Sequence, residues 1–359
     1  MKLVARVLSM PALAGLAAGW LAFCLLVWSY GSSPREMAVL LFEGTWGTSY
    51  GAGQVLFKAT PLLFTGLAVD AALRAGLFNI GAEGQLAVAS LAAGVVGSRL
   101  PEGTPAVIAL PVTLTVAMAA GAAWAGIPAL LKGRLGAHED ISTIMMNRIA
   151  DGLVGWLIAS GLALSGTVRT ADVVPGARMP RLEVMLPSFR GSAASFAIFI
   201  AFLMTGLVML GHRRTRFGRE LGLIGMNARA MRAERVDVRR RLEQALMASG
   251  ALAGAASMGT VLGYKGYFEE GLGAGAGFGG VAVALLGRGN GFGLVLAALL
   301  FGTLSQGGLA LNAHVPKELM DVLQGVVICA VALADARLRA AVTAGVSRSR
   351  SADPRGATA

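Results

Sequence analysis

Apolar runs close to the length of a membrane crossing recur along the whole of this 359-residue chain. A helix needs about 20 mostly apolar residues to cross a bilayer. Nothing else in the sequence limits the fold so strongly, because a segment surrounded by lipid has to satisfy every backbone N–H and C=O internally. The runs fall at 11–30, 55–73, 83–98, 105–131, 141–163, 193–211, 242–262, 276–287, 292–310 and 319–336. The expected architecture is all-α, a polytopic transmembrane helix bundle of about ten spans, with eight to ten as the range. Residues 1–340 read as one transmembrane domain and 341–359 as a disordered cytoplasmic tail, rich in Ser, Arg, Ala and Gly. The run at 276–287 is short and glycine-laden, and reads as a half-helix or re-entrant segment.

Composition enters as an exclusion. A soluble chain carries about a quarter charged residues, whereas this one has 14% charged and 55% hydrophobic residues, which leaves no room for a large soluble domain. The net charge of +11 raises the question of nucleic acid. The basic residues, however, sit in short polar stretches between apolar runs and do not interleave with aromatics, so no nucleic-acid partner is expected. The stretch 212–241 holds ten arginines against Glu220, Glu234 and Asp237, and the tail adds Arg337, Arg339, Arg348, Arg350 and Arg355. The positive-inside rule therefore places both termini in the cytoplasm. Lys2 and Arg6 before the first run resemble the start of a secretory signal, but the run is long for one and no cleavage pattern follows, so an uncleaved first span is expected. Cys24 and Cys329 lie in separate apolar runs and read as packing residues.

Three polar clusters interrupt the apolar background. The densest runs Arg74-Ala-Gly-Leu-Phe78-Asn79-Ile-Gly-Ala-Glu83-Gly-Gln85. Its glycines loosen the backbone, and Asn79, Glu83 and Gln85 offer hydrogen-bonding groups where lipid offers none. Two readings stay open, a broken element lining a solute path and a cytoplasmic turn whose Glu83 caps the next helix. The second cluster, His138 to Arg148, brings Ser142, Thr143 and Asn147 into an apolar helix, with Thr143 and Asn147 four apart on one face. Such residues serve either as interhelical glue or as pathway lining. The third is a cytoplasmic segment around 217–232, within 212–241, that reads as a short amphipathic helix carrying Leu221, Ile224, Met226 and Met231. It is either a basic loop held near anionic headgroups or a docking helix for a cytoplasmic partner. A faint echo between 76–84 and 271–280 is consistent with paired broken helices in two related halves.

The chemistry of catalysis is missing from this inventory. His138, His212 and His314 have no metal-binding spacing, and no apolar segment holds a Ser/His pair. The glycines at 275, 277 and 280 match a dinucleotide pattern but follow no strand, and no phosphate loop of the GxxxxGK[ST] type occurs. If ATP drives this protein, the ATPase is another polypeptide. Coupling to an ion gradient through Asp70 and Glu83, as in a secondary transporter, is the alternative.

The same clusters carry a family resemblance. Lys58-Ala-Thr-Pro-Leu-Leu and Phe78-Asn-Ile-Gly-Ala-Glu-Gly-Gln85 resemble the signature of simple-sugar and purine-nucleoside permeases of the ATP-binding-cassette (ABC) type. These belong to the larger group of branched-chain amino-acid and ribose permeases. Ile141-Ser-Thr-Ile-Met-Met-Asn147 and Gly279 to Arg288 resemble further blocks in the same order, so the resemblance runs from about residue 55 to 335. It departs from the family pattern at Asp140, Arg148, Gly291, Glu234 and Arg235. It implies an importer of nucleosides or simple sugars in the bacterial inner membrane. The implied partners are cytoplasmic ATPase chains that bind ATP and magnesium, a second permease chain in a heterodimer, an extracytoplasmic substrate-binding lipoprotein and membrane lipid. This chain itself would bind no cofactor. Phe78, Asn79, Glu83, Gln85, Thr143 and Asn147 are then the expected substrate pathway. Gly218, Leu221, Ile224, Gly225, Asn227 and Ala230 are the expected ATPase-docking residues.

Overall fold

The computed structural model describes residues 2–330 and 333. The expected tail at 341–359 and its arginines lie outside the described residues. Among those described, the ordered elements are helices, and the extended contacts are two isolated bridges, Arg169 with Glu269 and Arg181 with Ser195. In chain order the α-helices are α1 (Lys2–Ser29), α2 (Pro34–Thr45), α3 (Ser49–Arg74), α4 (Ala82–Arg99), α5 (Ala106–Leu135) and α6 (Glu139–Leu157). They continue with α7 (Ala197–Arg214), α8 (Arg216–Ala233), α9 (Val238–Ala255), α10 (Ala276–Gly287) and α11 (Gly291–Leu311). Residues 318–330 form a further helix. The chain is a polytopic helical membrane protein.

Within the described residues each expected span coincides with a helix, and α8 occupies the basic segment 212–241, expected to be cytoplasmic. Among the described residues, five helical stretches are long and apolar enough to cross a membrane by length and composition: Ser49–Arg74, Ala106–Leu135, Ala197–Arg214, Val238–Lys265 and Gly291–Leu311. Ala17–Ser29 within α1 and Ala276–Gly287 are further, shorter apolar stretches. Two features depart from the expectation. The connection after the first span contains α2, and the spans ending α6 and α9 finish in π-helical turns, Ile158–Leu162 and Met258–Lys265. A widened turn of that kind re-aims the helix end.

The chain divides into two compact units, one of Met1–Phe42 with Gly307–Ala359 and the other of Glu43–Gln306. In the first, α1 packs on the 318–330 helix through Gly19, whose missing side chain leaves room for Val327. Cys24 and Cys329 are both unbonded. In the second unit α5 and α9 run backbone to backbone, because Gly121 faces Gly250 and Gly254 faces Ala117 with no Cβ to hold them apart. Close approach through small residues is how helices associate when lipid removes the hydrophobic drive. The loop between α6 and α7 is tied down by Arg169–Asp172 at 3.0 Å and by Thr170, whose N–H donates to the Phe268 carbonyl at 2.9 Å.

Candidate functional site: a broken helix facing a half-helix

The site is built where α3 gives way to α4. α3 ends at Arg74, and its side chain is held three ways, donating to Asp70 Oδ2 at 2.9 Å, to the Gly289 carbonyl at 2.6 Å and to Met209 Sδ at 3.1 Å. The chain then turns at Gly76, with φ +74°, and returns through 77–81 to start α4. Buried polar side chains supply the hydrogen bonds that the broken backbone lacks. Asn79 is fully buried, and its Nδ2 donates to Gln85 Oε1 at 2.9 Å and to Ser249 Oγ at 2.7 Å. Its Oδ1 accepts from Gly81 N and from Gln85 Nε2, each at 3.0 Å. Ser249 in turn donates to the Ala68 carbonyl at 2.6 Å. From α6, Asn147 accepts from Gly84 N at 2.9 Å and donates to the Ile80 carbonyl at 2.9 Å. Thr143, also fully buried, donates to the Glu139 carbonyl at 2.7 Å within its own helix.

Glu83 does something different. Its carboxylate accepts from Gly275 N at 2.6 Å, Gly277 N at 2.7 Å and Phe278 N at 3.3 Å, which are the free N–H groups at the start of α10. Those groups have no partner inside a helix and sit at the positive end of its dipole, so a carboxylate is their natural complement. Glu83 thus caps a helix, but the helix is α10, nearly two hundred residues away and not the one Glu83 begins. Gly277 permits the contact, because a Cβ there would collide with the Glu83 backbone.

α10 is 12 residues long, about 18 Å, or roughly half a bilayer core. It runs alongside α3, with Gly279 against Leu62, Gly280 against Thr65 and Gly66 against Val283, and Thr65 Oγ1 donates to the Ala276 carbonyl at 2.7 Å. Its N-terminus therefore lies beside the middle of α3, and its C-terminus beside Arg74. The irregular stretch 266–275, with Gly271, Gly273 and Gly275 at positive φ, reaches that mid-depth point. Irregular backbone at such depth is tolerated only where it is buried in protein or lines a water-filled cavity. A cavity of about 190 Å³ lies there, walled by Glu83, Asp151 and Glu270 together with Leu86, Val154 and Phe268.

Of the six expected pathway residues, Glu83 lines this cavity. Asn79, Gln85, Thr143 and Asn147 are spent on internal hydrogen bonds, and Phe78 is half-buried outside the cavity lining. Asp151 and Glu270 escaped the sequence reading. Asp151 stands four residues after Asn147 on an apolar helix, and that spacing was the available signal.

The expected docking residues lie on α8. Thr215 caps its start by accepting from Gly218 N at 3.0 Å. Asn227 breaks it, with φ −157° and ψ 91°, and restarts it by accepting from Arg229 N and Ala230 N at 3.1 Å each. Leu221 is 2% exposed, packed with Ala72, Leu77 and Leu246, and Ile224 packs with Met231 and Val238. Both face the chain's own core. The apolar side chains facing away are Leu223 and Met226, 50% and 84% exposed. Gly225 rests on the backbone of Arg74 and Gly76. Glu220 joins α8 to α9 by accepting from Arg216 at 2.6 Å and from Arg241 at 2.5 Å. Those guanidiniums, Arg216 foremost, hold its carboxyl below the usual range.

The family model described as the permease component of the branched-chain amino acid transport system matches residues 51–332, which takes in both the broken helix and the half-helix. The chain belongs to that family. Over 89% of its length it is 38% identical to the guanosine ABC transporter permease protein NupP of Bacillus subtilis, covering 90% of that protein. It is 31% identical to the glucose ABC transporter permease protein TsgB13 of Haloferax volcanii, with 88% of this chain and 84% of that one covered. It is 26% identical to the nucleoside ABC transporter permease protein NupB of Lactococcus lactis, with 88% of each chain covered. No solved structure matches. The permease is a transport subunit, and ATP is hydrolysed by a separate chain. Membership sets aside the ion-coupled alternative, whose two acids are in any case engaged, Asp70 by Arg74 and Glu83 by α10.

Proposed function

We propose that the permease carries a neutral nucleoside inward across the bacterial inner membrane, as one of two permease chains in an ABC importer. Two ATPase chains with ATP and magnesium act on its cytoplasmic side, and a substrate-binding lipoprotein delivers from outside. Both termini are cytoplasmic in this reading, and α8 is the ATPase-docking element. The observation that carries the substrate class is the cavity at the start of α10. Its carboxylates accept hydrogen bonds from O–H and N–H groups, while Leu86, Val154 and Phe268 offer apolar surface to a flat ring. A nucleoside presents both kinds of surface, a sugar chiefly the first.

The test is uptake by liposomes containing the complete importer and ATP. Radiolabelled guanosine should accumulate, and excess unlabelled glucose should not compete. ATP-driven accumulation of glucose without guanosine would overturn the nucleoside assignment and leave the importer role intact.

A further inference from the structure

The larger unit presents two kinds of outward face. On α7, Phe199, Leu203, Leu207 and Leu210 form an unbroken apolar stripe, as a lipid-facing helix requires. On α6 the outward stripe is also largely apolar, but Arg148 and Asp151 stand in its middle, their side chains 82% and 55% exposed and paired at 3.6 Å. They follow Glu139, which is bonded to Lys132 at the polar end of the helix, by about 14 and 18 Å of helix. An arginine can snorkel part of such a distance, but an aspartate with one methylene cannot, and ionisable side chains at that depth face a bundle interior or a water-filled space. Asp151 also belongs to the wall of the cavity at α10. One turn further along, a Cβ on Gly155 would lie 3.4 Å from a Glu270 carboxylate oxygen. The charged side of α6 and the cavity are thus one continuous surface.

We propose that the Arg148–Asp151 face of α6 is a wetted wall of the solute path. It leads into the cavity at the half-helix and contacts a neutral solute that carries both hydrogen-bond donors and acceptors. Arg148 supplies a forked donor that suits a carbonyl or ring nitrogen, and Asp151 an acceptor that suits N–H or O–H. The identity of the solute rests on the nucleoside reading above; the wetness of the wall does not.

The experiment uses the assembled importer in liposomes, with Cys24 and Cys329 replaced by serine. Arg148→Cys, Asp151→Cys and the lipid-stripe control Leu203→Cys are treated with a charged, membrane-impermeant thiosulfonate. The thiolate is the reacting species and forms only where water reaches it, so positions 148 and 151 should react at least about tenfold faster than 203. Saturating guanosine should slow both. Gly155→Cys, which keeps the ion pair and lies between 148 and 151 around the helix, one turn further along, carries the same expectation should loss of the pair prevent assembly. Reaction at 148, 151 and 155 as slow as at 203 overturns the proposal. Fast reaction that guanosine leaves unchanged upholds the wetted wall and overturns its contact with that solute, and ATP-driven guanosine uptake by the unsubstituted importer then decides separately whether the nucleoside reading stands.

Discussion

Glu83 and Asn79 stand four residues apart in one motif, yet the structure gives them opposite duties. Asn79 is a fully buried amide whose oxygen and nitrogen each serve two partners. Asn79→Ala leaves the Gln85 amide and the Gly81 N–H unpaired in the interior, at about 1–3 kcal/mol for each such group. We expect it to lower the unfolding midpoint and the yield of the assembled complex. Glu83→Gln keeps the shape and one acceptor oxygen, loses the charge at the start of α10, worth about 0.3–1 kcal/mol, and turns its amide nitrogen, a donor, toward the α10 N–H groups that the other carboxylate oxygen served. That variant should assemble better than Asn79→Ala and show reduced uptake. Thermal unfolding and uptake measured side by side on the two purified complexes decide the matter. The assignment fails if Asn79→Ala assembles as well as the parent while Glu83→Gln does not. Sequence showed that these polar residues had to be engaged, because lipid engages nothing. It could not show with what, since Ser249 and Gly275 to Phe278 lie 170 or more residues away.

Among the elements, α8 carries the sharpest contrast. A helix with apolar residues at 221, 223, 224 and 226 has two apolar flanks, and periodicity alone does not say which one meets the bundle. The structure puts Leu221 and Ile224 inside and leaves Leu223 and Met226 outside. Leu221→Asp should therefore damage the permease itself, since it forces an unpaired charge among Ala72, Leu77 and Leu246. Met226→Asp should leave the permease folded and inserted while abolishing co-purification of the ATPase. Affinity capture of the complex, with gel filtration of the permease alone as the control for folding, reads both effects. Retention of the ATPase by Met226→Asp at the parent level would remove α8 from the docking role. Helix positions were legible because long apolar runs have few alternatives in a membrane. α2 was not, for Pro34–Thr45 is too short and too polar to register as a span. The π-turns were hidden as well, since they answer to tertiary packing.

For the whole molecule, the missing phosphate loop and the family agree that this chain transports and does not hydrolyse. Purified alone, it should show no ATP hydrolysis above background, and hydrolysis should appear only with the ATPase chains. Robust turnover by a verified single-chain preparation would contradict that division of labour. The bundle, its ordered blocks and the half-helix were readable from the sequence. The cavity was not, because it is assembled from α4, α6 and the stretch after the second π-turn, and depends on how three separated pieces converge.

The contact between Gly76 and Gly225 bears on how motion could pass through such a molecule. The turn that opens the broken helix and the middle of α8 meet main chain against main chain, with no side chain between them. Side chains hop between rotamers and so absorb small displacements, whereas peptide planes in contact have no such freedom. Whatever moves α8 moves the turn at Gly76 with it, and that turn leads within a few residues to Asn79 and Glu83. The joint behaves as a rigid bearing. A methyl group on Gly225 would have to push the Arg74 carbonyl aside, so the smallest of substitutions would set a gap between α8 and the turn that opens the broken helix.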